Sequence, residues 1–200
     1  MAELERLDID QLAELERLLV NQEAPVVQRF QPPASGEALA AVEAYLGAPL
    51  PDELREWWGW HNGIDESSGE RPIQSSIGPI FFALSTVGAV ETSRELRIGA
   101  EEDAPEDPDS LWASSWIAIR SQGRVACECN IPTDAPVPVL HVDYHKAAYP
   151  GAVICHSLGR MVQWWIEALE SGAWRYDRED GRWERVFELV PPERDEVGLV

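Results

Sequence analysis

Lysine is almost absent from this sequence, and basic residues as a whole are scarce. Lys and Arg together number 16 against 36 Asp and Glu, and the net charge is −20 at pH 7. Binding to nucleic acid without sequence preference needs Lys and Arg to replace counterions on the phosphates, and anionic membranes attract basic segments. The charge therefore argues against direct binding to nucleic acid or to a membrane, and it favours a basic protein partner.

Cysteine and long apolar runs are also scarce. The three cysteines, Cys127, Cys129 and Cys155, are an odd number that no complete disulfide framework can use. No run approaches the roughly 18 apolar residues of a membrane span. The N-terminus lacks the basic start and apolar stretch of a secretion signal. These features predict a cytoplasmic protein with reduced thiols.

Hydrophobic residues are plentiful enough for a core without crosslinks or a structural metal. They make up 44% of the 200 residues, and a chain of this length buries about 70% of its unfolded surface. Three helices are predicted in the first third of the chain. They are residues 9–20 after an N-cap at Asp8, a helix capped by Ser35 that ends at Gly47, and a short helix after Pro51.

The middle of the chain mixes apolar and strongly acidic segments. Residues 79–84 are wholly apolar and predict a buried strand. Ser85 is placed to cap a helix that ends near Arg97. Residues 100–109 hold six acids, two prolines and no basic residue, a composition that predicts a loop.

The second half of the chain is rich in predicted strands, which lie at residues 116–120, 125–129, 137–142 and 152–156. Ser157 is placed to cap a long helix, and Asp180-Gly181 indicates a final hairpin. This order predicts an α+β fold, with N-terminal helices packed on one face of a largely antiparallel sheet and a further long helix near the C-terminus. The nine tryptophans are expected to fill the core between helices and sheet.

One segment carries a family resemblance. A helix ending in Gly47 is followed by Leu50-Pro51, a short helix with Trp57 and Trp58, and a closing Asn62-Gly63. This order resembles the SUKH superfamily, which is typified by the yeast cell-wall assembly regulator and is abundant in bacteria. Residues 116–130 resemble the central hairpin of the superfamily, and residues 157–172 resemble its final helix.

The resemblance implies domain boundaries and structural roles. It implies a SUKH-like core over residues 35–172, a helical N-terminal extension over 1–34, and a C-terminal hairpin and tail over 173–200 that pack on the same domain. Within the motif, Leu50 and Pro51 are expected to set a turn, and Trp57 and Trp58 to attach the short helix to the sheet. Asn62-Gly63 is expected to end that helix, with Gly63 at positive φ.

Reactive residue types are present but do not form a convincing site. His141, Asp143 and His145 would share one face of a strand near the cysteines, yet their spacing matches no zinc pattern. Cys155 and His156 are adjacent on a predicted strand and therefore point to opposite faces. We predict no catalytic residue, no cofactor and no metal.

The best candidate for a partner-binding surface is the acidic segment after residue 100. Its carboxylates could face a basic groove on a partner, or they could only keep the protein soluble. An exposed apolar anchor is also expected, in the loop of residues 64–80, because charge alone does not give tight binding. The predicted binding residues are Glu101, Glu102, Asp103, Glu106, Asp107 and Asp109, together with Asp65 and Glu66.

The resemblance also implies a function, because most bacterial members look like immunity proteins that neutralise toxins exchanged between competing cells. We therefore expect a non-catalytic protein that occludes a basic toxin domain, such as a nuclease. A regulatory or scaffold protein of the same fold with a cellular client is one alternative. A metal-dependent enzyme is the other.

Overall fold

A computed structural model describes residues 6–65, 83–120, 125–142 and 152–189. The described residues form five α-helices: α1 (Ile9–Asn21), α2 (Gly36–Leu46), α3 (Asp52–Trp60), α4 (Thr86–Asp103) and α5 (Leu158–Glu170). They also form six strands: β1 (Trp116–Ala118), β2 (Val125–Glu128), β3 (Val139–His141), β4 (Ala152–Cys155), β5 (Trp174–Asp177) and β6 (Arg182–Arg185). The predicted α+β class is confirmed.

Strands β1 to β4 form one antiparallel sheet in chain order, and β5 pairs with β6 in the predicted hairpin. In the sheet, Cys127 lies opposite Val139, and Val139 lies opposite Cys155. Two isolated bridges, Ala83 with Arg120 and Phe30 with Ile64, continue the pairing beyond β1. Most of the strand predicted at 79–84 lies outside the described residues.

Helix α1 begins where the sequence predicts. Asp8 is its N-cap and forms a capping box with Gln11, in which each side chain accepts from the other residue's backbone N–H. Leu12, Leu15 and Leu19 are fully buried because their spacing places them on one side of the helix. That side packs against α5.

The core is rich in tryptophan, as expected. Eight of the nine tryptophans are buried and Trp164 is half-buried. Trp57 of α3 packs against Trp165 of α5, with ring centroids 6.1 Å apart. Trp58 donates from its indole N–H to the Leu84 carbonyl at 3.0 Å, beside the bridge at Ala83. Trp57 thus contacts the final helix, whereas Trp58 reaches the extension of the sheet.

A buried carboxylate joins three distant parts of the chain. Glu53 of α3 is 1% exposed, and each of its two oxygens accepts two backbone N–H groups. Oε1 accepts from Leu7 and Gly159, and Oε2 accepts from Val137 and Leu158. Because Leu158 and Gly159 begin α5, the negative charge also lies at the positive end of that helix dipole.

Two glycines of the family-like segment have the expected positive φ. Gly47 ends α2 at φ +67°, and Gly63 has φ +76°. Gly63 does not end α3, which stops at Trp60 with an extended residue after it. Its role is close approach, because a Cβ there would lie 2.4 Å from the Ser85 backbone nitrogen. The neighbouring Asn62 side chain accepts from the Thr86 N–H at 2.8 Å, at the start of α4.

The prediction of a loop over residues 100–109 is wrong for residues 100–103. Helix α4 continues through Glu101 and Glu102 to Asp103, although acidic side chains are unfavourable at a helix C-terminus. One tertiary and one local interaction offset that penalty. Ala100 is fully buried, and Arg97 pairs with Glu101 one turn later at 2.9 Å.

Candidate protein-binding face

Helix α4 lies on the sheet through small side chains. Its buried residues are Thr86, Ala89, Ser93 and Ala100, which recur at helical spacing and allow a close approach to β1. Ser93 fixes this contact, because its hydroxyl accepts from the Ala118 N–H of β1 at 2.8 Å. The larger aliphatic residues of α4 are half-buried against the core, as are Val90 and Leu96, or exposed, as are Val87 and Ile98.

The outer side of α4 combines exposed aliphatic and charged residues. Val87 is 61% exposed and Ile98 is 50% exposed. Positions three and four residues away on a helix are surface neighbours, and those around Ile98 are charged. They are Arg94, Glu95, Glu101 and Glu102. Ile98 thus supplies apolar surface inside a mainly acidic surround.

The acidic segment, residues 101–109, is partly organised by one arginine. Arg97 pairs with Glu101 and Asp109 and also donates to the Trp112 carbonyl at 2.8 Å. These bonds, the Asp109 one above all, raise the pKa of Arg97 above its ordinary value. The guanidinium therefore holds the end of α4 beside the following 3-10 turn, Pro108–Ser110.

Four carboxylates of the acidic segment have no counterion among the described residues. Glu102, Asp103, Glu106 and Asp107 are exposed, and none forms an ion pair with any residue that the structure describes. Together with Ile98 and the Arg97 pairs, they form what we call the acidic face. Such a face attracts cationic groups, and its unpaired charges remain available to a partner.

A cleft of about 310 Å³ opens beside the acidic segment. It lies between the end of α2, the 3-10 turn, the approach to β1 and the exit from β2. The Cys129 N–H holds two of these walls together by donating to the Ser115 carbonyl at 3.0 Å. The described lining residues are Leu46, Ala48, Asp109, Ser114, Ser115, Cys129 and Asn130.

The structure brings only part of the predicted binding set together. Asp65 lies two residues after Gly63, at the start of α4, and its carbonyl accepts from the Arg29 guanidinium at 2.7 Å. The part of α4 that precedes Glu101 spans about 22 Å, so Asp65 lies far from the acidic segment. Glu66 and most of the loop expected to carry an apolar anchor lie outside the described residues, and Ile64 is buried.

Sequence reasoning missed Ile98 and the cleft. Ile98 was hidden because α4 was expected to end one residue before it. Ser114, Ser115 and Asn130 have no motif of their own, and their proximity arises from pairing between β1 and β2. Of the features of this face, only the acidic composition of residues 101–109 was visible in the sequence.

The cysteines lie in environments that suppress thiolate chemistry. Burial raises the pKa of Cys127 well above its ordinary value, and the nearby Cys129, Glu53 and Cys155 add to this effect. Burial, followed by the Glu128 charge, likewise raises the pKa of Cys129. Because the thiolate is the nucleophile and the metal ligand, these two groups are poorly suited to either role at neutral pH.

The other reactive types do not converge in the described part of the chain. Cys155 is buried while the adjacent His156 is exposed, and Ser157 caps α5 by accepting from the Arg160 N–H at 2.9 Å. His141 is half-buried on β3, whereas Asp143 and His145 lie outside the described residues. No group of three or more His, Cys, Asp or Glu side chains able to hold a metal ion occurs among the described residues.

Comparison with known protein families gives one match. Residues 33–146 match the SMI1 / KNR4 family (SUKH-1). The chain belongs to this family. The match covers α2 to α4 and β1 to β3, including the motif from Leu50 to Gly63, and it ends before β4 and α5. The predicted core boundaries at residues 35 and 172 stay predictions.

SUKH proteins are, in general, non-catalytic immunity and regulatory proteins that act through contacts with other proteins. No curated protein of similar sequence is found. Among the described residues, no helix has both the length and the apolar character needed to span a bilayer. Family membership therefore points to protein recognition.

Proposed function

We propose that this protein is a cytoplasmic immunity protein that neutralises a basic toxin domain by binding it, without catalysis. The acidic face is the observation that carries the proposal. It combines the exposed Ile98 of α4 with four carboxylates that have no ion pair among the described residues. Glu102 is one turn from Ile98, and Asp103, Glu106 and Asp107 lie at and after the end of the helix. The SUKH family assignment and the net charge of −20 support the same conclusion.

Charge and apolar contact have separate roles in this mechanism. The acidic face attracts a basic partner over long range and raises the association rate. Rim charges alone do not give the nanomolar affinity, about −12 kcal/mol, that protection of a cell requires. Ile98 contributes to the remainder, since burial of a whole aliphatic side chain stabilises by about 1.5–3 kcal/mol.

A nuclease is the toxin class that best fits this surface. Nucleases hold phosphate groups with Lys and Arg in open grooves, so a carboxylate-rich face can occupy the same groove. Occupation of the groove prevents nucleic acid from entering, and this requires no chemistry on the part of the immunity protein.

The test uses the toxin domain encoded beside this gene. The wild-type protein is expected to bind that domain with nanomolar affinity and to restore growth of cells that express it. The variant Glu102→Lys/Glu106→Lys is expected to weaken binding by about a hundredfold, equivalent to about 2.7 kcal/mol. The matched control is Glu179→Lys/Glu188→Lys, which makes the same charge change at exposed acids of the C-terminal region.

Two results would contradict the proposal. An equal loss of affinity in the control would show that only total charge matters. A gene with no neighbouring toxin, whose product binds a resident cellular protein, would instead favour the regulatory alternative within the same family.

A further inference from the structure

The cleft beside the acidic segment has acceptor groups that nothing in the described structure uses. The Asp109 carboxylate contacts Arg97 through Oδ1, and its Oδ2 has no partner among the described residues. The exposed Ser114 hydroxyl and Asn130 side-chain amide are likewise without a partner there. The described lining of one concave site therefore includes a carboxylate, a hydroxyl and an amide, each with hydrogen-bonding capacity to spare.

The charge of the surroundings selects the sign of the ligand. Asp109 lines the cleft directly, and the unpaired Asp107 lies two residues away in the chain. The described lining residues include no basic side chain. Arg97, paired with Asp109 Oδ1, offsets part of this negative charge. A cation can still bind the other carboxylate oxygen, and the nearby Asp107 favours positive charge.

The shape of the cleft distinguishes between cations. Leu46 and Ala48 give one wall an apolar surface suited to the alkyl part of a long side chain. The acceptors are spread over several chain segments, which suits the five N–H donors of a planar guanidinium better than a compact ammonium group. Asp109 already binds the Arg97 guanidinium through Oδ1. That pair holds the carboxylate in place, and Oδ2 has no partner among the described residues.

We infer that the cleft binds the guanidinium group of an arginine side chain carried by the protein partner. The inference deepens and rests on the proposed function, because it adds a specific pocket to the acidic face. In the complex, the arginine donates to Asp109 Oδ2, Ser114 and Asn130, while its methylene groups lie on Leu46 and Ala48. The pocket then fixes the position and orientation of the partner, which long-range attraction alone does not determine.

The site is tested without the partner, by titrating the full-length protein with N-acetyl-L-arginine amide and following backbone amide signals by NMR. We expect saturable shifts at Ser114, Ser115 and Asn130, with a Kd on the order of 1–10 mM. N-acetyl-L-citrulline amide, which is neutral and nearly isosteric, is expected to leave those signals unchanged. N-acetyl-L-lysine amide is expected to bind several-fold more weakly than the arginine compound.

Two variants separate the pocket from general charge. Asp109→Asn is expected to weaken arginine binding about tenfold. Glu101→Gln is the matched control, because it also removes one carboxylate from Arg97 but at a residue that does not line the cleft. The affinity of this variant for the arginine compound should stay within about twofold of the wild-type value. Asn130→Ala, which removes no charge and no partner of Arg97, gives an independent measure if Asp109→Asn unfolds. It is expected to weaken binding about threefold.

Several outcomes would overturn the inference. These are shifts that do not saturate, equal binding of citrulline or lysine, and equal effects of Asp109→Asn and Glu101→Gln. The proposed function fails separately: a protein that binds arginine at the cleft but recognises no toxin domain refutes immunity and leaves the pocket in place. If the Asp109→Asn variant neutralises the toxin as well as the wild type does, the arginine pocket is refuted and the immunity function is not.

Discussion

Helices α4 and α5 are held in the fold in opposite ways. Helix α5 follows β4 and buries a wide stripe of large side chains, namely Leu158, Met161, Val162, Trp165, Ile166 and Leu169. Helix α4 contacts β1 through Ser93, and its other buried residues, such as Ala89 and Ala100, are also small. The large side chains of α5 fill the core, whereas the fully buried residues of α4 are small and its larger aliphatic residues are only half-buried or exposed.

This difference separates stability from recognition. Buried volume is costly to change, so α5 has little freedom to vary its inward surface. The outer residues of α4, including Ile98 and Glu102, make few internal contacts and can be exchanged at small cost to the fold. A protein that must match one particular partner benefits from placing its recognition surface on such a helix.

The largest expected effect is at the centre of α5. Trp165→Ala removes a buried side chain that packs against Trp57, and we expect it to lower the free energy of unfolding by about 3–5 kcal/mol. Denaturant unfolding followed by circular dichroism measures this value. A loss below about 1 kcal/mol would mean that α5 is not part of the core, and the contrast with α4 would disappear.

The next effect is at the buried carboxylate that anchors the start of α5. Glu53→Gln keeps the shape of the side chain, but its amide nitrogen faces two backbone N–H donors. We expect a loss of about 2–4 kcal/mol, because two buried N–H groups lose their acceptor. Glu56→Gln, an exposed position on the same helix, is the control and should change stability by less than about 0.5 kcal/mol. Equal effects at the two positions would contradict the anchoring role of Glu53.

A smaller loss is expected where α4 touches the sheet. Ser93→Ala removes the acceptor of the Ala118 N–H while leaving the volume of the stripe nearly unchanged. The unpaired donor should lower the free energy of unfolding by about 1–2 kcal/mol, which hydrogen exchange at Ala118 and denaturant unfolding can both detect. An unchanged exchange rate at Ala118 would show that this hydrogen bond does not hold α4 in place.

The smallest effect on stability is expected on the outer side of α4. Ile98→Ser should change the free energy of unfolding by less than about 0.5 kcal/mol but weaken toxin binding about tenfold by isothermal titration calorimetry. Val20→Ser alters a similarly exposed aliphatic residue on α1 and should leave binding unchanged. If both variants bind the toxin as the wild type does, Ile98 is not an anchor, and the claim that α4 carries the recognition surface is contradicted.

Local chemistry made the starts of the helices predictable. Asp8, Ser35, Ser85 and Ser157 are all N-caps as expected, because each short polar side chain precedes an amphipathic segment. Gly47 and the final hairpin were also predictable from local turn chemistry. The order of these elements was sufficient to indicate the α+β class.

Long-range contacts were beyond the reach of the sequence. The end of α4 depends on burial of Ala100 and on a contact between Arg97 and Asp109, twelve residues later. Glu53 accepts from residues 46, 84, 105 and 106 positions away, and no periodicity reports such partners. The cleft is assembled from four separate segments, so its existence follows only from the sheet register and the packing of α2.

Hydrogen–deuterium exchange of the protein with and without the neighbouring toxin domain tests the central claim most directly. The account predicts that binding slows exchange at residues 94–110 and around Ser114, Ser115 and Asn130, while the β5–β6 hairpin is unaffected. Protection confined to the hairpin or to α5, with residues 94–110 unchanged, would show that the acidic face is not the surface that meets the partner.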